Sequence, residues 1–221
     1  MTAPSPLVER LKVGDLTVHA IQAGGQRLDG GAMFGVVPKP LWEKRIPADE
    51  RNRIALGMRC LLIEHESGLI LVDTGAGNKE DQKFKGIYGI ENDGAGNETL
   101  LEDGLREIGV EPRDINIVIN THLHFDHAGG NTRLSTDQKI ELSFPNARYF
   151  VKRGEYDYAL HPNERTAASY FDRNYLPVEA AGKLELVVRE RDIVKGVRVV
   201  PTPGHSGETA CVRELAPRGL P

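Results

Sequence analysis

The sequence contains 221 residues, of which 39% are hydrophobic, and 28 basic residues stand against 32 acidic ones, for a formal charge of −4. This length and composition predict a single globular domain over residues 1–221 and exclude disorder along the whole chain. The acidic balance argues against nucleic acid as a partner, and no apolar run approaches the roughly 20 residues that a transmembrane helix requires.

The first third of the chain predicts strands joined by glycine-rich turns. Residues 16–22 read as a first strand, and residues 24–40 as a loop that carries apolar side chains outward. Residues 59–64 and 69–72 are runs of branched apolar residues that suit a hairpin. Asp73-Thr74-Gly75 ends the second of these strands in a turn.

The middle of the chain predicts a helix followed by a buried strand. Apolar residues recur at helical spacing between Asn97 and Gly109. Thr99 with Glu102 forms a capping-box pattern at its start, with Asn97 as the alternative cap. Residues 115–120 form a short apolar strand, so the order strand, helix, strand indicates a layered α/β domain.

The remaining elements follow the same alternation. We expect a strand over residues 146–151, helices over residues 155–160 and 164–175, and strands over residues 184–188 and 196–200. The last strand leads into the segment Pro201-Thr202-Pro203-Gly204-His205.

The segment that follows the buried strand at residues 115–120 is the most informative for chemistry. It reads His122-Leu123-His124-Phe125-Asp126-His127. In an extended chain, side chains two residues apart point the same way, so His122, His124 and Asp126 are expected to converge while His127 faces away. This spacing offers ligands to two neighbouring cations, and imidazole with carboxylate suits zinc, with iron, manganese or cobalt as alternatives.

Three motifs together resemble the metallo-β-lactamase fold superfamily of mostly zinc-dependent hydrolases. HLHFDHAGG is similar to its HxHxDH signature, and the strand that ends in Asp73-Thr74-Gly75 is similar to its early Asp-Thr-Gly strand. Thr202-Pro203-Gly204-His205 resembles the element that delivers a further histidine. Residues 143–156 look most like the branch of N-acyl-homoserine lactonases and related esterases. The resemblance implies an αβ/βα sandwich of layered sheets and outer helices.

The resemblance also implies roles for single residues. His122, His124 and His205 would bind a first metal, and Asp126 and His127 a second, while Asp73 would support a metal-binding histidine from behind. The implied activity is hydrolysis of a small ester or lactone by attack of a metal-bound hydroxide, with Asp126 as the catalytic proton carrier.

The chain departs from the family after His205. The family continues with an Asp that bridges both metals and with a late His, and neither residue type occurs in the tail of this chain. We therefore expect the C-terminal part and the second half of the fold to be missing, and the second metal site to be incomplete. An open sheet edge would favour a homo-oligomer or a complementing C-terminal fragment as partner.

Other functions stay open at this point. A thioester hydrolase and a mononuclear iron sulfur dioxygenase are alternative enzymes, and an inactive or split fragment of such an enzyme is a third alternative. Phe34, Trp42 and Tyr88 are candidates for an apolar substrate pocket beside the metals.

Cysteine usage and the first residues predict the compartment. Cys60 and Cys211 lie far apart and in no Cys-x-x-Cys pattern, so no disulfide framework is expected. Residues 1–14 carry charges and prolines without an apolar core, which argues against a secretory signal. A cytoplasmic protein with a small-molecule substrate is the expectation.

Overall fold

A mixed seven-stranded sheet forms the centre of the structure, a computed structural model that describes residues 6–95 and 98–214. Its strands lie in the order β1-β2-β3-β4-β5-β8-β9. Strands β1 to β4 are antiparallel neighbours, whereas β4, β5, β8 and β9 run parallel. The strands are β1 (Val8–Val13), β2 (Leu16–Asp29), β3 (Arg53–His65), β4 (Gly68–Val72), β5 (Ile115–Ile119), β8 (Arg148–Lys152) and β9 (Leu184–Val187).

Two smaller sheets accompany it. One has three strands, β10 (Arg191–Val194), β11 (Val197–Pro201) and β12 (Ala210–Glu214), and the other pairs β6 (Thr132–Leu134) with β7 (Ile140–Leu142). The helices are α1 (Gly30–Phe34), α2 (Lys39–Trp42), α3 (Gln82–Tyr88), α4 (Leu100–Glu107), α5 (Phe125–Ala128), α6 (Arg153–Leu160) and α7 (Leu176–Ala180).

Alternation along the central strands produces the layers. Ile70 and Ile117 belong to a buried cluster with Val197 and Val199 of β11, so the three-stranded sheet covers one face. Leu71 and Val118, one residue along each strand, belong to a second cluster with Leu101 and Leu105 of α4, so helices cover the other face. Successive side chains of a strand point to opposite faces of the sheet. Because both faces of these central strands are buried, the strands are continuous apolar runs without alternating polar residues. The predicted fold of layered sheets with outer helices is confirmed.

Most predicted elements are present with shifted bounds. The first predicted strand is longer, because β2 continues through Gly24 to Asp29 before the short helices α1 and α2 replace the rest of the expected loop. Helix α4 begins after Thr99, whose backbone N–H donates to Glu102 Oε2 at 2.7 Å as the capping box predicts. The alternative cap, Asn97, lies outside the described residues.

The helix predicted over residues 164–175 is wrong. The structure has two short 3₁₀ turns there, Ala167–Ser169 and Asp172–Asn174. The aromatic rings of this stretch face different neighbours: Tyr170 packs against His124, and Phe171 against Phe125. The packing of these two rings therefore overrides the local helix propensity.

Within the part of the chain that the structure describes, none of the helices combines the length and apolar character of a bilayer-spanning segment.

Replacing Leu105 by alanine is expected to destabilise the fold. Leu105 is fully buried between α4 and the sheet, and removing a buried leucine side chain costs about 2–5 kcal/mol in the free energy of unfolding. Glu107→Ala on the exposed side of the same helix is the control and should change stability by less than about 0.5 kcal/mol. Urea denaturation of both variants measures the difference, and equal stabilities would contradict the packing of α4 on the sheet.

Candidate metal centre

The site lies where two neighbouring parallel strands end. Strand β4 ends at Val72 and β5 at Ile119, and the two are paired in parallel. Their carboxyl ends therefore meet at one edge of the sheet, the place where α/β folds commonly bind ligands. The segment Asp73-Thr74-Gly75 follows β4, and the segment from Asn120 to His127 follows β5.

The two loops approach each other closely because two glycines leave room. A Cβ on Gly129 would lie 2.3 Å from the carbonyl oxygen of Ala76, and one on Gly130 would lie 2.1 Å from that of Thr74. Real Cβ atoms do not come so near to backbone oxygens, so only glycine fits at both positions. Gly129 and Gly130 thus allow the segment after β5 to pack directly against the loop after β4.

Three histidines converge at this edge. The nearest ring nitrogens of His122, His124 and His205 all lie within 4.8 Å of one another. His205 Nε2 is 3.2 Å from His124 Nδ1 although 81 positions separate the residues. His122 is buried, His124 half-buried and His205 exposed, so the group opens from the protein interior towards solvent.

A chain of hydrogen bonds fixes the tautomer of His122. The Thr121 hydroxyl donates to Asp73 Oδ2 at 2.8 Å and lies 3.0 Å from His122 Nδ1. Since the hydroxyl has a single hydrogen, the His122 Nδ1–H must be the donor in the second contact. His122 Nε2 therefore carries a lone pair, and that atom is buried without a hydrogen-bond partner in the described structure.

Burial and neighbouring imidazoles favour the neutral form of two of these rings, those of His122 and His124. Burial first, and then the adjacent histidines, hold the pKa of His122 far below its ordinary value. Burial also lowers the pKa of His124 to about 4, with His205 and His127 adding to the effect against the charge of Asp126. Neutral imidazoles that share one small space are suitable metal ligands at neutral pH.

Asp73 accepts hydrogen bonds from the segment that carries the histidines. Its Oδ1 accepts from the Thr121 backbone N–H at 2.8 Å, and its Oδ2 accepts from His127 Nδ1 at 2.8 Å. Asp73 has a φ of 57°, a left-handed conformation that aspartate tolerates better than most residues. It thus joins the loop after β4 to the loop after β5.

His127 does not face away from the other histidines, so this expectation is wrong. Its ring centroid lies 4.0 Å from that of His122. The segment is not extended there, because Phe125–Ala128 forms the helical turn α5. Residues in a helix do not alternate between two sides, and His127 turns back towards the cluster while Asp73 binds its Nδ1.

Asp126 lies beside His127 and is held by a residue that the sequence did not reveal. Its Oδ2 is 3.5 Å from His127 Nε2 and accepts a hydrogen bond of 2.6 Å from Gln26 Nε2. Gln26 is buried on β2, one hundred positions before Asp126. No sequence pattern marks it, because the contact depends on the continuation of β2 beyond the predicted end.

The predicted pocket residues fall into two places. Tyr88 on α3 packs against Phe125, with ring centroids 5.0 Å apart. Phe34 and Trp42 stack on each other at 5.1 Å in α1 and α2. The structure therefore brings Tyr88 next to the histidine segment, and the other two residues form their own pair.

Sequence reasoning missed Phe84 and Phe171, which complete an aromatic cluster with Tyr88 and Phe125. Phe84 lies 4.4 Å from Tyr88, 5.1 Å from Phe125 and 5.5 Å from Phe171 between ring centroids. The spacing of four residues between Phe84 and Tyr88 places both on one helix face, and that signal was available. Phe84, Tyr88 and Phe171 line an open cavity together with Lys79, Leu134 and Arg173.

Comparisons with known proteins agree with the motifs. The family described as Metallo-beta-lactamase superfamily matches residues 57–219. An N-acyl homoserine lactonase from Bacillus thuringiensis is 33% identical over 161 residues, which cover 66% of this chain and 54% of that protein. The chain thus spans about half the length of this curated relative.

Solved structures are similar over nearly the whole chain. A probable metal-dependent hydrolase from Staphylococcus aureus superposes with a TM-score of 0.82 at 33% identity, covering 93% of this chain and 71% of that one. An N-acyl homoserine lactone hydrolase with the product N-hexanoyl-L-homoserine at its catalytic metal center gives a TM-score of 0.63 at 27% identity, covering 96% and 73%.

Replacing Asp73 by asparagine is expected to lower the pKa of His127 in the metal-free chain. Burial alone would lower that pKa, but the hydrogen bond and charge of Asp73 raise it to about 9. Asparagine removes the charge and tolerates the same backbone conformation, so burial should then dominate. A proton NMR titration of the His127 ring, assigned with a His127→Gln variant, measures the change, and an unchanged pKa would contradict the pairing.

The same pair predicts a pH dependence of stability. Because the folded-state pKa of about 9 lies above the ordinary value of 6.5, the pair stabilises the metal-free fold fully below pH ~6.5. This contribution is lost as the pH rises through about 9, and the Asp73→Asn variant should not show that loss.

Proposed function

Since the chain belongs to the metallo-β-lactamase superfamily, we propose that it is a metal-dependent hydrolase of a small ester or lactone. One observation carries the proposal: three imidazoles meet at the sheet edge, and His122 Nε2 is buried there with its lone pair unpartnered in the described structure. A buried acceptor without a partner costs about 1–3 kcal/mol, which a bound cation would recover.

The donor set fits a transition metal. His122, His124 and His205 would hold one cation, and His127 Nε2 with Asp126 would provide ligands for a second. Imidazole nitrogen with carboxylate oxygen is the chemistry of zinc sites, with iron, manganese and cobalt as alternatives. Asp73 would act as the outer partner that orients His127, a role commonly filled by carboxylates behind metal-binding histidines.

When bound, such a cation supplies Lewis acidity, which polarises a carbonyl group and lowers the pKa of a water molecule. The chain's own residues would handle the proton. Gln26 donates to Asp126 Oδ2 and so orients the carboxylate, and Asp126 would accept a proton from the attacking water and pass it to the leaving oxygen. No nucleophilic serine or cysteine is required in this scheme.

The apolar part of the substrate would lie against the aromatic cluster of Phe84, Tyr88, Phe125 and Phe171. Phe125 stands between the ligand candidates His124 and Asp126 in sequence, which places the backbone of one cluster member next to two of the ligand candidates. The relatives named N-acyl homoserine lactonases make lactones with an acyl chain the first class to test. The Phe34–Trp42 stack stays a prediction for a further wall of the pocket.

The purified chain is expected to bind about one or two equivalents of zinc and to hydrolyse a lactone. Elemental analysis measures the zinc content. Product formation from acyl homoserine lactones, aryl esters, thioesters and phosphotriesters measures the activity. Chelation should abolish the reaction and added zinc should restore it, whereas a reaction indifferent to chelation would contradict the proposal.

Asp126→Asn is expected to lower kcat by about 10²–10⁴, because asparagine cannot carry the proton. The exposed Asp137 gives a matched control, and Asp137→Asn should retain full activity. Steady-state kinetics on the best lactone compare the two variants, and equal rates would remove Asp126 from the mechanism.

A further inference from the structure

A buried carboxylate lies directly behind the three converging histidines. Glu155, in the first turn of α6, is 1% exposed. Its Oε1 accepts hydrogen bonds from the Leu123 backbone N–H at 2.9 Å and from the Tyr170 hydroxyl at 3.0 Å. Its Oε2 accepts from the Ser206 hydroxyl at 2.7 Å. A buried carboxylate needs such donors, and bonds to an ionised group are about twice as strong as neutral ones.

Each of these donors is adjacent to one of the histidines. Leu123 stands between His122 and His124 in the sequence, and Ser206 directly follows His205. The Tyr170 ring packs edge-on against His124 at 4.8 Å. One side chain therefore connects the loop after β5 with the distant loop that carries His205.

The loop of residues 202–209 has few other attachments. Apart from the Ser206–Glu155 bond and the contact between His205 and His124, the hydrogen bonds of this loop in the described structure are internal, such as Thr202 N–H to Thr209 O and Ser206 N–H to Thr209 Oγ1. Glu208 adds an ion pair at 3.7 Å with the buried Lys152, just before α6. An exposed histidine on such a loop would adopt many positions without a fixed anchor.

We propose that Glu155 is a positioning residue that holds His205 against His122 and His124 through Ser206. The inference rests on the proposed metal site. Glu155 touches neither the cation nor the substrate. Its effect is to order the loop before the cation binds, so that His205, the third ligand, is already in place. Its removal should therefore weaken metal binding while the metal-free fold persists.

Zinc affinity of the full chain, measured by competition with a chromophoric chelator, tests this role. Ser206→Ala and Glu155→Ala are each expected to weaken zinc binding by about 10–100-fold, the usual effect of losing an outer partner of a metal ligand. Ser206→Thr keeps the hydroxyl and should restore most of the affinity. The double alanine variant should bind zinc no worse than Glu155→Ala alone, because both changes break the same connection.

Two further measurements separate positioning from general destabilisation. Glu208→Gln breaks the ion pair with Lys152 but leaves the connection to Glu155, and should weaken zinc binding much less than Ser206→Ala. The visible spectrum of the cobalt-loaded Ser206→Ala chain should show the loss or rearrangement of one ligand, while its metal-free melting temperature stays unchanged.

The outcomes distinguish this inference from the proposed function. If the unmodified chain binds no zinc, the metal site itself is contradicted. If the unmodified chain binds zinc and Ser206→Ala binds it equally well, only the role of Glu155 is overturned. Because Ser206→Ala decides the matter alone, a failure of Glu155→Ala to fold does not affect the conclusion.

Discussion

The close packing of several imidazoles around one small space is the constraint on which the rest of the site depends. The rings of His124 and His205 each lie within 5 Å of the ring of His122, and that of His127 lies nearer still. Burial and mutual proximity oppose protonation of His122 and His124. A space that opposes the charged form of two imidazoles and presents their nitrogen lone pairs is suited to a cation that binds several of them at once.

Asp73 makes the imidazoles of this cluster differ in tautomer and charge. Its carboxylate binds Thr121 and His127 together, so it sets the tautomer of His122 through the Thr121 hydroxyl and draws positive charge onto His127. The parallel pairing of β4 and β5 makes this possible, since it brings the two strand ends to the same edge. Sheet topology, hydrogen bonding and charge therefore act together in one small region.

Much of this could be predicted from the sequence, and the exceptions have physical causes. The histidine segment was found by the spacing of its residues, whereas Asp73 and His205 were predicted from the resemblance of their motifs to the metallo-β-lactamase superfamily. The predicted orientation of His127 was wrong because a helical turn replaces the expected extended chain. Gln26 and Glu155 could not be found, since single polar residues acquire meaning only when the fold brings distant segments together.

The irregular segment around Tyr170 illustrates the same limit for secondary structure. Its composition favours a helix, but Tyr170 packs against His124 and Phe171 packs against Phe125. Local propensity is weak compared with the burial of two aromatic side chains. Prediction from sequence therefore succeeded where periodic apolar residues decide the structure, and failed where tertiary contacts decide it.

A crystal structure of the zinc-loaded chain, with anomalous diffraction recorded on both sides of the zinc edge, would show whether one cation joins the three imidazoles. We expect a strong anomalous peak bonded to His122 Nε2 and to ring nitrogens of His124 and His205. A map without a zinc peak among these three imidazoles, or with the rings turned to separate places, would contradict this expectation.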